Sequence, residues 1–95
     1  MELDDIIRCE AKGNYTKFHF KDGKNHLTSR TLGHYEEILK DSNFFRINRA
    51  DLVNLNHIQK YTRQKRPTIL LIDGTTLTIS DGRKNDFLDF FEGKS

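Results

Sequence analysis

The most informative part of the sequence is the stretch Phe44-Phe45-Arg46-Ile47-Asn48-Arg49, which Leu52-Val53-Asn54-Leu55 follows closely. The two adjacent phenylalanines are expected to anchor the chain to an apolar core, with two arginines and an asparagine beside them. Positive charge next to a rigid apolar anchor suits a polyanion-binding surface, because each neutralised phosphate releases counterions. The stretch therefore indicates both a core position and a binding surface.

Positive charge is concentrated in the segment that this stretch opens. Between Phe44 and Pro67 there are six Lys or Arg residues and a single acid, Asp51, so the segment carries +5. The whole chain carries only +2, so the remaining residues sum to −3. This imbalance makes the segment the first candidate for nucleic-acid binding.

Length and composition leave room for one domain. The chain has 95 residues, of which 35% are hydrophobic, enough for a single modest core, and we treat 1–95 as one domain. No apolar run approaches the ~20 residues of a membrane-spanning helix, and no secretory leader follows Met1. Cys9 has no second cysteine to pair with, which favours the cytoplasm. The lack of a long apolar run predicts that the protein does not contact membranes. The early strand-like run at Ile6 and the lack of catalytic apparatus favour a fragment of a longer regulator.

Most of the chain has the pattern of short strands. Polar and apolar residues alternate from Tyr15 to Phe20, and Lys21-Asp22-Gly23-Lys24 is a hairpin signal. Asp73-Gly74 is a second hairpin signal, between two runs rich in β-branched residues. We predict strands over residues 6–11, 15–20, 26–29, 58–63, 68–72 and 75–79.

Two segments have helical periodicity instead. Thr31 can cap a helix that ends at residues 41–43, and Ser80 can cap a terminal helix with Asp81 in its first turn. The predicted apolar faces consist of Leu32, Tyr35, Ile38 and Leu39 in the first helix and of Phe87, Leu88, Phe90 and Phe91 in the second.

The order of these motifs resembles a known family. The chain reads Glu10-Ala11-Lys12-Gly13-Asn14-Tyr15-Thr16, then Thr31-Leu32 with Tyr35-Glu36-Glu37-Ile38-Leu39, then Asn43 to Arg49, Leu52 to Ile58, Leu71-Ile72-Asp73-Gly74 and Leu77-Thr78-Ile79-Ser80. In this order and spacing they are similar to LytTR domains, the DNA-binding output domains of bacterial two-component response regulators. The resemblance runs from Ile6 to Phe91.

The resemblance implies a mainly β fold of elongated antiparallel sheets with two or three short helices. It further implies that loops and turns at element ends contact successive major grooves of double-stranded DNA, without a recognition helix of the usual kind. An N-terminal receiver domain in the full-length protein and binding at repeated DNA sites are implied as well. No cofactor is implied.

Three contact regions carry over by position. The DNA-binding candidates are Asn14, Tyr15, Asn48, Arg49, Ser80, Gly82, Arg83 and Lys84. Asn14 can pair with an adenine edge, and Arg49 has a planar fork suited to guanine or phosphate. Asn48 either binds phosphate or holds its loop by an Asx-type bond. Either Arg83 or Lys84 is expected to read a base, and the nearby helix N-terminus favours phosphate. This chain has Asp81-Gly82 where the family often has basic residues, which is a departure from the family pattern.

Further basic residues are candidate phosphate contacts, namely Lys12, Lys17, Arg30, Arg46, Lys60 and Arg63. Lys65 and Arg66 extend the charge run around Arg63, and such runs are often only solvated surface. Arg46 shares the strand face of Phe44, so it either packs its stem structurally or contacts phosphate.

Other functions find less support. The four histidines lack a metal-binding spacing, and His57 is expected to pack against the loop that carries the charge run around Arg63 rather than bind a metal. No catalytic constellation is recognisable, so no enzymatic activity is predicted. A β-rich RNA or single-strand binder would need exposed aromatic platforms, for which Tyr15 and Tyr61 are the candidates. A protein-interaction module is the third alternative, and its binding would be insensitive to salt.

Overall fold

Strands dominate the chain, as the sequence predicts. The computed structural model describes residues 2–92, in which the longest dimension is 34 Å against 25 and 22 Å for the other two. Within that range the strands are β1 (Ile6–Lys12), β2 (Tyr15–Phe20), β3 (Asn25–Thr28), β4 (Phe44–Arg46), β5 (Asp51–Asn54), β6 (Ile58–Thr62), β7 (Thr68–Leu71) and β8 (Thr76–Thr78). The helices are α1 (Leu32–Leu39) and α2 (Lys84–Glu92), with 3-10 turns at Leu3–Asp5, Leu55–His57 and Asp81–Arg83. The predicted fold class is confirmed.

The strands form two antiparallel sheets. The first has the order β3-β2-β1-β5-β4 and the second the order β6-β7-β8. Both predicted hairpins form for the same reason: the Asp22 carboxylate accepts a hydrogen bond from the backbone N–H of Lys24, and the Asp73 carboxylate accepts one from Thr75. Each aspartate precedes a glycine with positive φ, the conformation that such a turn requires.

Phe44 and Phe45 lie on opposite faces of the first sheet because successive side chains in a strand alternate. Phe44 is buried in a cluster with Cys9, Phe18 and Leu52, which α1 covers. Phe45 packs into a second cluster, where its ring centroid lies 5.7 Å from that of Phe87 in α2. The predicted core assignment of both phenylalanines is confirmed, and adjacent residues thereby anchor two separate apolar layers.

Helix α1 begins as predicted but carries a narrower apolar face. The Thr31 hydroxyl accepts a hydrogen bond from the backbone N–H of His34, which caps the first turn. Leu32 and Leu39 are buried, seven residues apart on one side of the helix. The prediction that Ile38 joins this face is wrong, since its side chain is 57% exposed. At 100° per residue Ile38 lies roughly 120° from Leu32, which places it beyond the buried stripe.

The terminal helix begins later than predicted. Ser80 occupies the position before a 3-10 turn, but its side chain makes no capping bond, and the α-helix begins at Lys84. The backbone N–H of Arg83 instead bonds to the Ser80 carbonyl, which closes the tighter turn. The predicted apolar face is confirmed, with Phe87 buried and Leu88, Phe90 and Phe91 packed against the same cluster.

Hydrogen bonds between distant segments occur at both ends of the strands, and those at one end join the two sheets. At one end the Ser80 N–H donates to the Ile47 carbonyl, and the Asn48 carboxamide donates to the Thr78 carbonyl. At the other end the Asn54 carboxamide donates to the Ile6 carbonyl within the first sheet, and the His57 ring, in the turn between β5 and β6, meets the backbone carbonyl of Asp4. The prediction that His57 packs against the loop around Arg63 is therefore wrong, because the 3-10 turn at Leu55–His57 places His57 at the opposite end of the strands.

Among the described residues, no helix is long and apolar enough to cross a membrane. Cys9 lies fully buried between the strands and α1, and this burial raises the pKa of its thiol to about 12. The thiol therefore stays protonated at neutral pH and serves as a small apolar core group.

Candidate nucleic-acid interface

The connections between the elements gather at two ends of the molecule. We call basic end the residues 12–15, 29–31, 46–51, 63–67 and 79–84, which the strand registers and the bonds at Ile47 and Thr78 bring to one end. These residues include nine Lys or Arg and two acids, for a net charge of +7. All three predicted contact regions belong to the basic end, although they are separated by more than 30 residues in the chain.

The first predicted region is an exposed turn. Gly13 adopts a positive φ of 63°, which a side chain would disfavour, and so reverses the chain between β1 and β2. Asn14 and Tyr15 follow it with exposed side chains, and half of the Tyr15 surface is accessible. Neither side chain has a hydrogen-bond partner among residues 2–92. Both are therefore available to a ligand.

The second region, loop 47–50, is held by hydrogen bonds from two side chains. The Asn48 carboxamide accepts a hydrogen bond from the Ala50 N–H (2.8 Å) while it donates to the Thr78 carbonyl (2.8 Å). The Arg46 guanidinium donates to the carbonyls of Asn48 and Arg49 and pairs with Glu36 at 3.0 Å. The loop-holding bonds of Asn48 and the packed position of Arg46 are present, and a phosphate contact by either residue stays a prediction.

Arg49 is the side chain that this loop presents. Its residue is exposed, and its guanidinium has no hydrogen bond or ion pair within the part of the chain that the structure describes. Its backbone carbonyl accepts a hydrogen bond from Arg46, so the backbone of Arg49 is held in place while its guanidinium is unpaired. A free planar fork on an ordered loop suits bidentate binding of a base edge or a phosphate.

The third region, residues 80–84, mixes free and tethered groups. The Arg83 guanidinium donates to the Arg46 carbonyl (3.3 Å) and lies 3.9 Å from Glu36, while its side chain stays 40% exposed. The Lys84 ammonium has no such partner within residues 2–92. Ser80 is half-buried, and Gly82 and Asp81 are exposed at the surface of the turn.

Glu36 is the residue that sequence reasoning missed. From α1 it reaches Arg46 in β4 and Arg83 before α2, and so connects two of the predicted contact regions. The sequence shows only an acid on the polar side of a helix, with its partners 10 and 47 positions away. Only the fold brings them together.

The candidate phosphate contacts are scattered more widely. Lys12 and Arg30 are exposed at the basic end, and Lys12 pairs with Glu10 at 3.4 Å. Lys17 is half-buried in the middle of β2. Lys60 lies within β6, opposite Leu70, whereas Arg63 begins the loop that extends from the end of that strand. A groove of about 560 Å³ joins the first turn to loop 47–50, with Gly13, Gly33 and Arg49 among its lining residues.

Asp51 in the basic end and Glu10 behind it are each paired with a cation, Asp51 with Arg8 and Glu10 with Lys12. Arg8 donates to the Asp51 carboxylate at 2.8 Å, and His19 contacts Glu10 at 2.9 Å. Burial acts to raise the pKa of Glu10, but the hydrogen bond with His19 and the charges of Arg8 and Lys12 outweigh it, so the pKa lies below its ordinary value. Glu10 is thus held ionised within an ion-pair cluster behind the first turn.

Of the two tyrosines predicted as stacking platforms, only Tyr15 is exposed. Tyr61 packs against the Phe87 ring with centroids 5.8 Å apart, and its hydroxyl is buried. The prediction of a platform at Tyr61 is therefore wrong, because its position in β6 turns the ring toward the α2 layer.

Comparisons with known proteins identify the family and the fold of this chain. A family model described as the LytTr DNA-binding domain matches residues 1–92. The sensory transduction protein LytR of Staphylococcus saprophyticus is 39% identical over 59 residues, which cover 62% of this chain and 23% of that protein. The match thus spans less than a quarter of the relative's length.

A solved structure shares the fold. It is the LytTr DNA-binding domain of a Bacillus cereus protein named as a methyl-accepting/DNA response regulator. The two superpose with a TM-score of 0.84 over 95% of this chain and 84% of that one, at 20% sequence identity. At this identity the likeness establishes the shared fold.

Proposed function

This chain belongs to the LytTR DNA-binding domain family, and from that premise we propose that it is the output domain of a bacterial transcriptional response regulator. In this proposal it binds double-stranded DNA in a sequence-specific way and carries out no catalysis. Turns and loops of the basic end, rather than a recognition helix, enter the major groove. The observation that carries the proposal is the gathering of three predicted contact regions on one surface of charge +7.

Base reading is assigned to the groups that are free or oriented at this surface. Asn14 offers a carboxamide for an adenine edge, and Arg49 offers an unpaired guanidinium for guanine. Arg83 is the better candidate for a base contact at the third region, because its partners Arg46 and Glu36 orient it. Lys84 then serves as a phosphate contact.

Phosphate binding is assigned to the remaining groups, which set the register of the protein on the duplex. Tyr15, Ser80 and the backbone of Gly82 can bind phosphate oxygens, as can Lys12, Lys17 and Arg30. Asn48 and Arg46 act indirectly, since their polar groups are occupied in holding loop 47–50.

The whole protein is proposed to be longer than this chain. The matched LytR is a sensory transduction protein of which the alignment covers 23%, which leaves room for a receiver domain before the DNA-binding domain. Such a protein would act in the cytoplasm, where bacterial DNA lies. Binding at repeated DNA sites remains part of the proposal.

Selection from a random duplex library tests the proposal. The 95-residue chain should enrich one sequence motif, and its affinity for the selected duplex should exceed that for random duplex by about 10³-fold or more. Affinity should also fall steeply with added salt. Failure to enrich any motif, or equal affinity for the two duplexes, would contradict sequence-specific binding.

The same assay separates the alternatives. A single-strand binder would prefer the separated strands of the selected duplex, but Tyr15 is the one predicted platform that is exposed. A protein-interaction module would show no salt-dependent DNA binding at all. We expect the duplex to bind more tightly than either strand.

A further inference from the structure

Residues 63–66, which we call the basic loop, carry three cations that the three-turn arrangement does not use. Arg63, Lys65 and Arg66 are exposed, and within residues 2–92 none of their side chains has a hydrogen-bond or ion-pair partner. No acid occurs in the sequence between Asp51 and Asp73. Three like charges within four residues repel one another, and no carboxylate among residues 2–92 forms an ion pair with them that would offset the repulsion.

The fold fixes where this loop lies. Thr62 pairs with Thr68 at the end of β6 and β7, so residues 63–66 extend beyond the sheet. Thr68 pairs in turn with Thr78, whose carbonyl accepts the bond from Asn48, and the Pro67 carbonyl accepts a bond from Ile79. The basic loop therefore lies at the same end of the molecule as Arg49.

The basic loop lies at one edge of the basic end, away from the first turn. Hydrogen bonds connect β1 to loop 47–50 through Ala11 and Ala50, then continue through Asn48 to β8, and from β8 to β7 and β6. The first turn and the basic loop are at opposite ends of this series. A DNA duplex that contacts both the first turn and the basic loop would be in contact with the protein over a longer stretch than a duplex that contacts only the three turns.

We propose that the basic loop binds the sugar-phosphate backbone of duplex DNA outside the bases that the three turns read. This inference rests on the proposed function and extends it to a fourth, sequence-independent contact. The cations have the chemistry for it, since phosphate contacts need positive charge and adaptable side chains rather than a fixed base-reading geometry. Lys60 is excluded from this contact, because it lies within β6 and not on the loop.

The test compares two triple variants with the same change in charge. Arg63→Gln/Lys65→Gln/Arg66→Gln removes the basic loop charges, whereas Lys21→Gln/Lys24→Gln/Lys40→Gln removes three cations at the opposite end of the strands. The probe is the duplex selected with the wild-type chain. Each lost phosphate contact should reduce the magnitude of the slope of log affinity against log salt by about 0.9. We therefore expect this magnitude to fall by about 2–3 in the loop variant and by less than about 1 in the control. Equal slopes for the two variants would overturn the inference.

Trimming the duplex separates a flanking contact from a general charge effect. We expect shortening the flanks to weaken wild-type binding and to leave the loop variant nearly unchanged, while the selected motif stays the same for both. If trimming weakens both proteins equally, the loop does not contact the flank. If the wild-type chain selects no motif, the proposed function itself fails, which is a different result from either of these.

Discussion

The two ends of the molecule differ in charge although the same strands connect them. We call acidic end the residues 2–5, 21–24, 40–43, 55–57 and 72–75, which contain six acids and three Lys or Arg for a net charge of −3. The basic end carries +7 in its five connections. Because antiparallel strands send successive connections to alternate ends, a chain can separate charge in space while it interleaves that charge in sequence.

This separation orients the molecule in the field of a polyanion. The basic end is attracted to phosphate and the acidic end is repelled, so encounters in the productive orientation are favoured. Both α-helices also begin at the basic end, at Leu32 and Lys84, and their N-termini add partial positive charge there. The net charge of the whole chain, +2, gives no sign of this separation of charge between the two ends.

The largest effect is expected from a residue that belongs to neither end. Phe45→Ala should lower the free energy of unfolding by about 3 kcal/mol, because its ring packs between the first sheet and α2 at 5.7 Å from Phe87. Chemical denaturation measures this change. The folded fraction should keep its affinity for the selected duplex, so a variant with normal unfolding but lost DNA binding would contradict the core assignment.

Arg49→Ala tests the basic end directly. We expect affinity for the selected duplex to fall by about 1–3 kcal/mol, since a free guanidinium that contacts a base edge is removed. A gel-shift titration measures the loss. Lys24→Ala at the acidic end is the matched control and should leave affinity unchanged, and equal losses for the two variants would show that the ends do not differ in function.

Glu36→Gln tests whether an acid can support the basic end. Its carboxylate pairs with Arg46 at 3.0 Å and lies 3.9 Å from Arg83, so its loss should loosen the third contact region. We expect the ratio of affinities for the selected and random duplexes to fall by up to about fivefold, which corresponds to about 1 kcal/mol. Measuring both affinities is essential, because removing a negative charge alone would strengthen binding to both.

Glu37→Gln is the control for that measurement. It changes the neighbouring residue by the same charge, but Glu37 is exposed and pairs with Lys40, toward the acidic end of α1. This variant should leave the specificity ratio unchanged. A fall of the same size in both variants would assign the effect to net charge rather than to the position of Arg83.

Much of the fold can be predicted from local sequence. The two Asp-Gly turns, the alternation around Phe18 and the Thr31 cap are each decided by residues a few positions apart, and the structure confirms them. The errors concern what tertiary packing decides. Ile38 has helical spacing but lies outside the buried stripe. A 3-10 turn places His57, and the hydrogen-bond partner of its ring, Asp4, is 53 positions away in the sequence.

The sequence names the residues of the candidate site, whose contacts with DNA stay predictions, but it does not give their arrangement. Loops that carry Asn14, Arg49 and Arg83 could be named from the sequence, whereas the tether of Arg46 and Arg83 to Glu36 could not. A side chain's partner depends on the crossing of distant elements, and one sequence holds no signal for it. The free or bound state of each arginine is therefore the information that the fold adds.

The smallest effect is expected from pH, through the acid behind the first turn. Burial acts to raise the pKa of Glu10 in the folded protein, but the hydrogen bond with His19 and the charges of Arg8 and Lys12 together outweigh it, so the pKa is lowered. Its stabilising contribution is fully present above the ordinary value of 4.5 and is lost as the pH falls through the lower folded pKa. Thermal unfolding from pH 7 to 3 should show this loss, of about 1 kcal/mol or less for such an ion pair.

Glu10→Gln should flatten the acid branch of that stability curve. The variant begins with lower stability at pH 7, since the charged partner of His19 is gone, and it should converge with the wild-type protein at low pH. Glu37→Gln, which removes an exposed carboxylate, should instead follow the wild-type curve. If the Glu10 variant stays parallel to wild type down to pH 3, the carboxylate contributes nothing to stability in its ionised form, and the ion-pair cluster does not stabilise the strand that supports the basic end.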